Sequence, residues 1–364
     1  MAEPVARQSA HPHPTIMAQS PEKTSPLRRF EASEWRAIIG RYTGPDTLRS
    51  LWQVAVTLGL LVGGLILGYY LMSRASWATA LLIIPLAGLL IRTFVIMHDC
   101  GHGSFLPWQR ANDAIGFVTG VLTFTPYSQW RREHALHHAS SGDLDRRGYG
   151  DVSTLTVAEY QALSKFGRFK YRLYRHPFVL FGVGPLHMMI LQRFRTPSVA
   201  SGKQQLWNVW MTNAALVGLV LIGIVAFGWK SVVLLYFPSY YLAAAGGIWL
   251  FYVQHQFEEA YWERGKEWDY ATAAITGSSH LRMPALLNWF TGHIGLHHVH
   301  HLGPKIPNYR LKRAHEENPI FHAAPELTLR TALKTLRLTL WDEASQRMIG
   351  FREYRQLTQL QRAG

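Results

Sequence analysis

The sequence predicts an all-α integral membrane protein. Four transmembrane helices carry a helical cap, and a histidine-rich site for two metal ions lies at their shared end. Three observations lead there. Residues 51–72, 76–97, 206–227 and 231–254 are long apolar runs. At ~1.5 Å of rise per residue, about 20 residues of helix cross the ~30 Å hydrocarbon core of a bilayer. Charged residues are only 16% of the 364, against about 25% in soluble domains. Histidines gather in three places beside these runs: His98-Asp99-Cys100-Gly101-His102, His134-Ala135-Leu136-His137-His138 and His297-His298-Val299-His300-His301. Residues three and four apart share a helix face, so each cluster can aim two or three ring nitrogens at one point.

Residues 1–45 read as a disordered or interfacial tail, rich in Pro, Ser, Ala and charge over its first thirty or so. His11 and His13 belong to it and are not expected to bind metal. No apolar stretch near the start resembles a cleaved signal peptide. A short helix is expected over residues 31–42. Residues 46–364 are expected to form one membrane domain.

The first run carries Gly59, Gly63, Gly64 and Gly68, small residues suited to close helix packing. A tight turn at Ser73-Arg74-Ala75 leads into the second run. Its one charge, Arg92, lies near its end, where the side chain is expected to reach the interface. His98 and His102 follow on the same helix. Residues 114–125 and 178–191 are apolar but too short to span, and read as interfacial. His176 and His187, beside or within the second of these, are taken as structural. The last two runs form a hairpin joined at Gly228-Trp229-Lys230, with Trp207, Trp210, Trp229 and Trp249 near their ends as interfacial aromatics. His255 follows the last run at once. Residues 256–364 contain no spanning segment.

Parity tests this topology. With four spans, all three clusters and His255 lie on one side of the membrane. If either short apolar piece alone also crossed, the clusters would be divided between the two faces. The two short turns on the other side hold only Arg74 and Lys230. By the positive-inside rule the clusters and both termini are therefore expected in the cytoplasm. The net charge of +14 is read as that loop bias, since four spans exclude a nucleic-acid-binding protein. The single cysteine, Cys100, excludes an intrachain disulfide.

Eight or nine imidazoles exceed what one zinc uses, four ligands in structural sites and three plus water in catalytic ones. They suit two ions of higher coordination number. Imidazole accepts Zn, Cu, Fe and Ni, so ligand type alone selects no metal. A site beside hydrocarbon suggests a substrate drawn from the bilayer. An alkyl chain has no acidic proton, so oxidation with O2 suits it better than acid–base chemistry. A metal transporter would instead be expected to carry ionisable residues within its spans, and these runs have almost none.

The three clusters resemble the histidine boxes of membrane fatty acid desaturases, over most of residues 50–350. The context is similar to acyl-lipid desaturases of the Δ12/ω3 type. It includes Asp143-Leu144-Asp145-Arg146-Arg147-Gly148, Gln254-His255-Gln256-Phe257-Glu258, the stretch from His300-His301-Leu302-Gly303-Pro304 to Lys305-Ile306-Pro307-Asn308-Tyr309, and Leu340-Trp341-Asp342-Glu343. The resemblance implies a di-iron centre with His98, His102, His134, His137, His138, His297, His300 and His301 as ligands, and His255 as the further one. Asp99 and Glu258 are candidates to orient ligands. His293 is an alternative ninth ligand, and His298 is expected to point away. The implied reaction is O2-dependent removal of two hydrogens from neighbouring CH2 groups of an acyl chain. Hydroxylases and ketolases of lipids or carotenoids share these spacings and form the alternative. No haem-binding, cluster-type cysteine or nucleotide-binding motif is found, so a ferredoxin-like or cytochrome-like donor is implied, with Lys305, Arg310, Lys312 and Arg313 as a candidate docking patch.

Overall fold

The computed structural model describes residues 32–74, 77–149, 152–190 and 202–363. Residues 1–31, with His11 and His13, lie outside the described residues, as does the join at 75–76 between the first two runs.

A short helix, α1 (Ala32–Gly40), precedes α2 (Thr47–Ser73) and α3 (Ala78–His102). Asp46 starts α2 by accepting a hydrogen bond from the Arg49 backbone N–H at 3.1 Å. At ~1.5 Å per residue both helices exceed the bilayer core. The third long apolar stretch, Lys203–His255, is 53 residues, far more than one crossing needs. It is broken at Gly228, where φ 76° and ψ 152° leave the helix, a conformation glycine adopts without a Cβ clash. The result is α9 (Lys203–Ser231) and, after a π turn, α10 (Phe237–His255). Two shorter apolar pieces stay short. Helix α4 (Gln109–Leu122) is 14 residues and the turn-plus-helix Val179–Ile190 is 12.

Leu61 of α2, Leu86, Ala87, Leu89 and Leu90 of α3, Phe124 after α4 and Tyr240 and Ala243 of α10 share one buried core. On the outside, Leu60, Ile66, Leu81, Ile84, Leu221 and Val225 are exposed. Such an apolar belt calls for lipid rather than water. Only part of the glycine stripe serves packing. A Cβ on Gly64 would fall 2.9 Å from Leu86, and one on Gly68 2.3 Å from Leu235, whereas Gly59 and Gly63 face open space. Arg92 also departs from expectation. Its guanidinium bonds Thr57 Oγ1 (3.1 Å) and the Trp289 carbonyl, and lies over the Trp289 ring at 4.3 Å. A protein partner thus takes the place of the expected interface.

The remaining elements are shorter. After α5 (Tyr127–Ser140) come β1 (Leu155–Thr156), α6 (Val157–Ala162), α7 (Lys165–Tyr174) and α8 (Gly184–Ile190). Beyond α10 follow α11 (Tyr270–Thr276), β2 (His280–Arg282), α12 (Ala285–Phe290), α13 (His297–Leu302) and α14 (Asn308–Glu317). The chain ends with β3 (Glu326–Thr328), α15 (Leu329–Thr335), β4 (Leu340–Asp342), β5 (Arg347–Ile349) and α16 (Phe351–Ala363). The all-α expectation is therefore corrected. Strand β1 pairs parallel with β4 and β4 antiparallel with β5, while β2 pairs parallel with β3. At two or three residues each, these strands are too short to display an alternating pattern. They fasten the C-terminal region to the rest: Arg264 bridges Asp145 (2.8 Å) and Glu343 (2.7 Å), two residues of the motifs quoted above.

Candidate metal centre

Four elements deliver the histidines. His98 and His102 are one turn apart at the end of α3, His134, His137 and His138 lie on α5, His297, His300 and His301 on α13, and His255 is the last residue of α10. The start of α5 is set against α3 and α4 by Tyr127. Its hydroxyl donates to the Cys100 carbonyl at 3.0 Å and lies 3.1 Å from Asp113 Oδ1. Gly116 admits that ring, since a Cβ there would come within 2.3 Å of it.

The nine histidines fall into two groups. His98, His102, His134, His138 and His300 form one, and His137, His255, His297 and His301 the other, with donor atoms in each within 4.8 Å of one another. The Nε2 atom of His300 is 3.0 Å from that of His98 and 2.9 Å from that of His138, and His138 Nε2 is 3.1 Å from His134 Nε2. In the second group His255 Nε2 is 2.9 Å from His297 Nε2. Nitrogens bound at ~2.1 Å to one ion at right angles sit about 3 Å apart, so this is the spacing of adjacent ligands. Hydrogen bonds alone do not account for it, because one proton on His300 Nε2 can serve only one of its two neighbours. The Nε2 atoms of His102 and His301 are buried without a hydrogen-bond partner, an arrangement that costs about 1–3 kcal/mol each unless a ligand compensates. The donor set fits metal ions.

Electrostatics point the same way. Burial first, and neighbouring imidazoles second, hold His134, His138, His297, His300 and His301 well below the ordinary value of 6.5. The rings are therefore neutral, the form that binds a metal. Two rings have their other nitrogen engaged from behind. His98 Nδ1 is 3.0 Å from Asp99 Oδ1, and His255 Nδ1 is 3.2 Å from the Gly277 carbonyl. Asp99 is itself held, since its Oδ2 accepts from the Asn308 backbone N–H (2.7 Å) and side-chain amide (2.8 Å). Gln53 of α2 in turn donates to Asn308 Oδ1 at 3.0 Å. Such outer contacts select the tautomer and orient the ligand. Trp130 stacks on His134 with ring centres 4.4 Å apart.

Other candidates sit elsewhere. Glu258 is exposed, with its carboxylate 3.3 Å from Arg347, so in this structure it orients no histidine. Helix α10 stops at His255 rather than continuing another turn, and this carries Glu258 away. His293 adopts φ 58° in the turn before α13 and lies outside both groups. His298 points away as expected, its Nε2 3.1 Å from His315 Nδ1. His176 and His187 also lie outside the groups. The basic patch is partly neutralised: Lys312 pairs with Glu316, Arg313 with Glu317, and Arg310 donates to the carbonyls of Tyr42 and Thr43. Sequence reasoning assigned no role to Gln53, Asn308, Tyr127 or Trp130. Gln53 alone gave a signal, as a polar side chain inside an apolar run.

The sequence profile of fatty acid desaturases matches residues 75–331, a stretch that contains all nine histidines. The chain belongs to the fatty acid desaturase family. A fatty acid desaturase of Bacillus subtilis is 42% identical over 314 residues, 86% of this chain and 89% of the relative. The sn-1 acyl-lipid omega-3 desaturase (ferredoxin) of a Nostoc species is 32% identical over 66% of this chain and 69% of its own length. An endoplasmic reticulum omega-3 fatty acid desaturase of Nicotiana tabacum is 29% identical over 78% and 76%. This desaturase is thus an oxidoreductase of a membrane family, with long apolar helices and a paired histidine cluster able to bind metal.

Proposed function

We propose that this desaturase introduces a double bond into the fatty acyl chain of a membrane lipid. In this reading two iron ions are held by His98, His102, His134, His138 and His300 on one side and by His137, His255, His297 and His301 on the other. The observation that carries it is the pair of adjoining, largely buried, all-imidazole groups at the ends of membrane-length helices. Bound iron would supply the O2-dependent oxidation that an unactivated CH2–CH2 pair requires. The protein's own part is positional. The histidines present neutral Nε2 lone pairs, Asp99 and the Gly277 carbonyl hold two of those rings, and the apolar helices admit the chain from the bilayer. A displacement near 1 Å at the reacting carbons can cost ~100-fold in rate. Electrons come from a separate donor, of ferredoxin type by analogy with the Nostoc relative. Lys305, whose Nζ lies near Gly103 just past His102, is the basic residue best sited to meet it.

The reading is tested by expression in a host with only saturated and monounsaturated chains. New double bonds in its fatty acids, together with two irons per chain in the purified protein, are the expected result. Hydroxylated or keto products, or a fully active enzyme with one tightly bound ion, would refute it.

In the same reading residues 46–364 form one membrane domain with four spans, the Lys203–His255 stretch crossing twice around Gly228. Both termini and the metal centre face the cytoplasm. Reporter fusions after residues 140 and 260 should both give a cytoplasmic signal. An external signal from either would break the parity on which a shared centre depends.

A further inference from the structure

Among the described residues, seven histidines lie outside the two inner groups, and four of these meet in a second place. His280 on β2, His315 on α14 and His322 in the turn Pro319–Ala323 line one surface cleft of about 300 Å³ together with Glu326. Ring centres of His280 and His315 are 4.7 Å apart, and those of His315 and His322 5.0 Å. Behind them His298 is wholly buried. The placement follows from register and chain path. Strands β2 and β3 pair so that His280 lies opposite Glu326, and the turn after α14 brings His322 back beside His315.

The nitrogens divide in a consistent way. His280 Nδ1 is 3.6 Å from Glu326 Oε2, His315 Nδ1 is 3.1 Å from His298 Nε2, and His322 Nε2 is 3.0 Å from the His315 carbonyl. His315 and His322 thus each have one nitrogen hydrogen-bonded within the protein, and His280 turns Nδ1 toward the Glu326 carboxylate at ion-pair distance. The other, Nε2 of His280 and of His315 and Nδ1 of His322, is left for a ligand. Metal-ligating histidines have this arrangement, in which an outer carboxylate, ring or carbonyl sets the tautomer. Glu326 is held for the task by Arg282, which donates to its other oxygen at 2.9 Å.

We propose that this cleft binds one divalent transition-metal ion of the zinc type through His280, His315 and His322, with water as fourth ligand. Three histidines plus water is a recognised zinc arrangement with Zn–N near 2.0–2.1 Å. Among the described residues, only the two inner groups already bring three or more donors within 4.8 Å of one another. Closing the outer site around an ion would require its side chains to rotate. His322 is exposed, and His280 and His315 are half-buried, so this motion displaces no core. The ion would tie β2, α14 and the following turn together and, through His298, brace the rear of α13. It would be distinct from the redox ions and independent of their identity.

Equilibrium dialysis of the full-length protein against graded Zn2+, followed by elemental analysis for iron and zinc, tests this. The wild type should hold one more zinc per chain than His280→Ala or His322→Ala at the same free Zn2+, with the remaining metal content equal in all three. Glu326→Gln should weaken that zinc by roughly 10–100-fold. Equal zinc in wild type and both alanine variants would overturn the proposal. So would extra zinc that appears only as iron is lost. The two alanine variants lie on different elements, and retained iron reports that each has folded.

Discussion

Desaturation is expected to fall at least about 100-fold in His255→Ala while the protein still inserts in the membrane. Loss of a supporting partner of a metal ligand already costs ~10–100-fold, and His255 is itself a member of the smaller group. That group has four donors against five in the other, so three would remain. The ring is buried, with Nε2 2.9 Å from His297 Nε2 and Nδ1 3.2 Å from the Gly277 carbonyl. Because His255 ends α10, its replacement leaves the helix and its lipid-facing surface intact. His176→Ala and His187→Ala, outside both groups, should keep normal activity. Fatty-acid composition of the host membranes and metal content of the purified variants decide the matter. Near-normal activity and two ions per chain in His255→Ala would remove it from the centre.

Asp99→Asn should lose metal without losing the fold, and Asp99→Ala should lose both. The carboxylate does two jobs: Oδ1 faces His98 Nδ1 at 3.0 Å, and Oδ2 accepts two hydrogen bonds from Asn308. An asparagine keeps an oxygen for Asn308 but turns its NH2 toward His98. That forces the His98 proton onto Nε2, the nitrogen 3.0 Å from His300, which then has no lone pair for a metal. A loss of ~10–100-fold in metal affinity or activity is expected. The alanine variant in addition leaves the Asn308 backbone N–H buried without an acceptor, at about 1–3 kcal/mol, while the side-chain amide keeps only its longer bond to Gln53 Oε1 at 3.3 Å. Thermal unfolding beside metal analysis separates the two substitutions. A fully loaded, fully active Asp99→Asn would end this account of His98.

The eight histidines at box spacings were legible because helix periodicity is local, whereas His255 rested on its place after the last apolar run and on the family resemblance. Spacings of three and four put donors on one face, and the apolar runs beside them put that face at a membrane boundary. Their partition was not legible. His137 and His138 are neighbours on α5, yet they enter different groups, and so do His300 and His301 on α13. Successive helical residues point about 100° apart, so two adjacent rings can serve two ions when other helices close in on both sides. Glu258 was misread for a related reason. One turn past His255 is a meaningful distance only if the helix continues, and the chain leaves it there for Arg347. Arg92 departs from the interface for the same reason: α12 brings it the Trp289 carbonyl and ring.

Hydropathy, charge and spacing are properties of short stretches, so the amino-acid order alone made legible the membrane-length helices, the break near Gly228, the three histidine clusters and the family. It took the tertiary structure to show which histidines gather in each group, which carboxylate faces them, and that small strand pairs tie the C-terminal region to the rest. Gln53, Asp99 and Asn308 form one hydrogen-bonded unit across 255 residues of chain, and His280, His315 and His322 one cleft across three separate elements. Such contacts arise from how helices and strands pack, and packing is set by the whole chain at once rather than by any window of it.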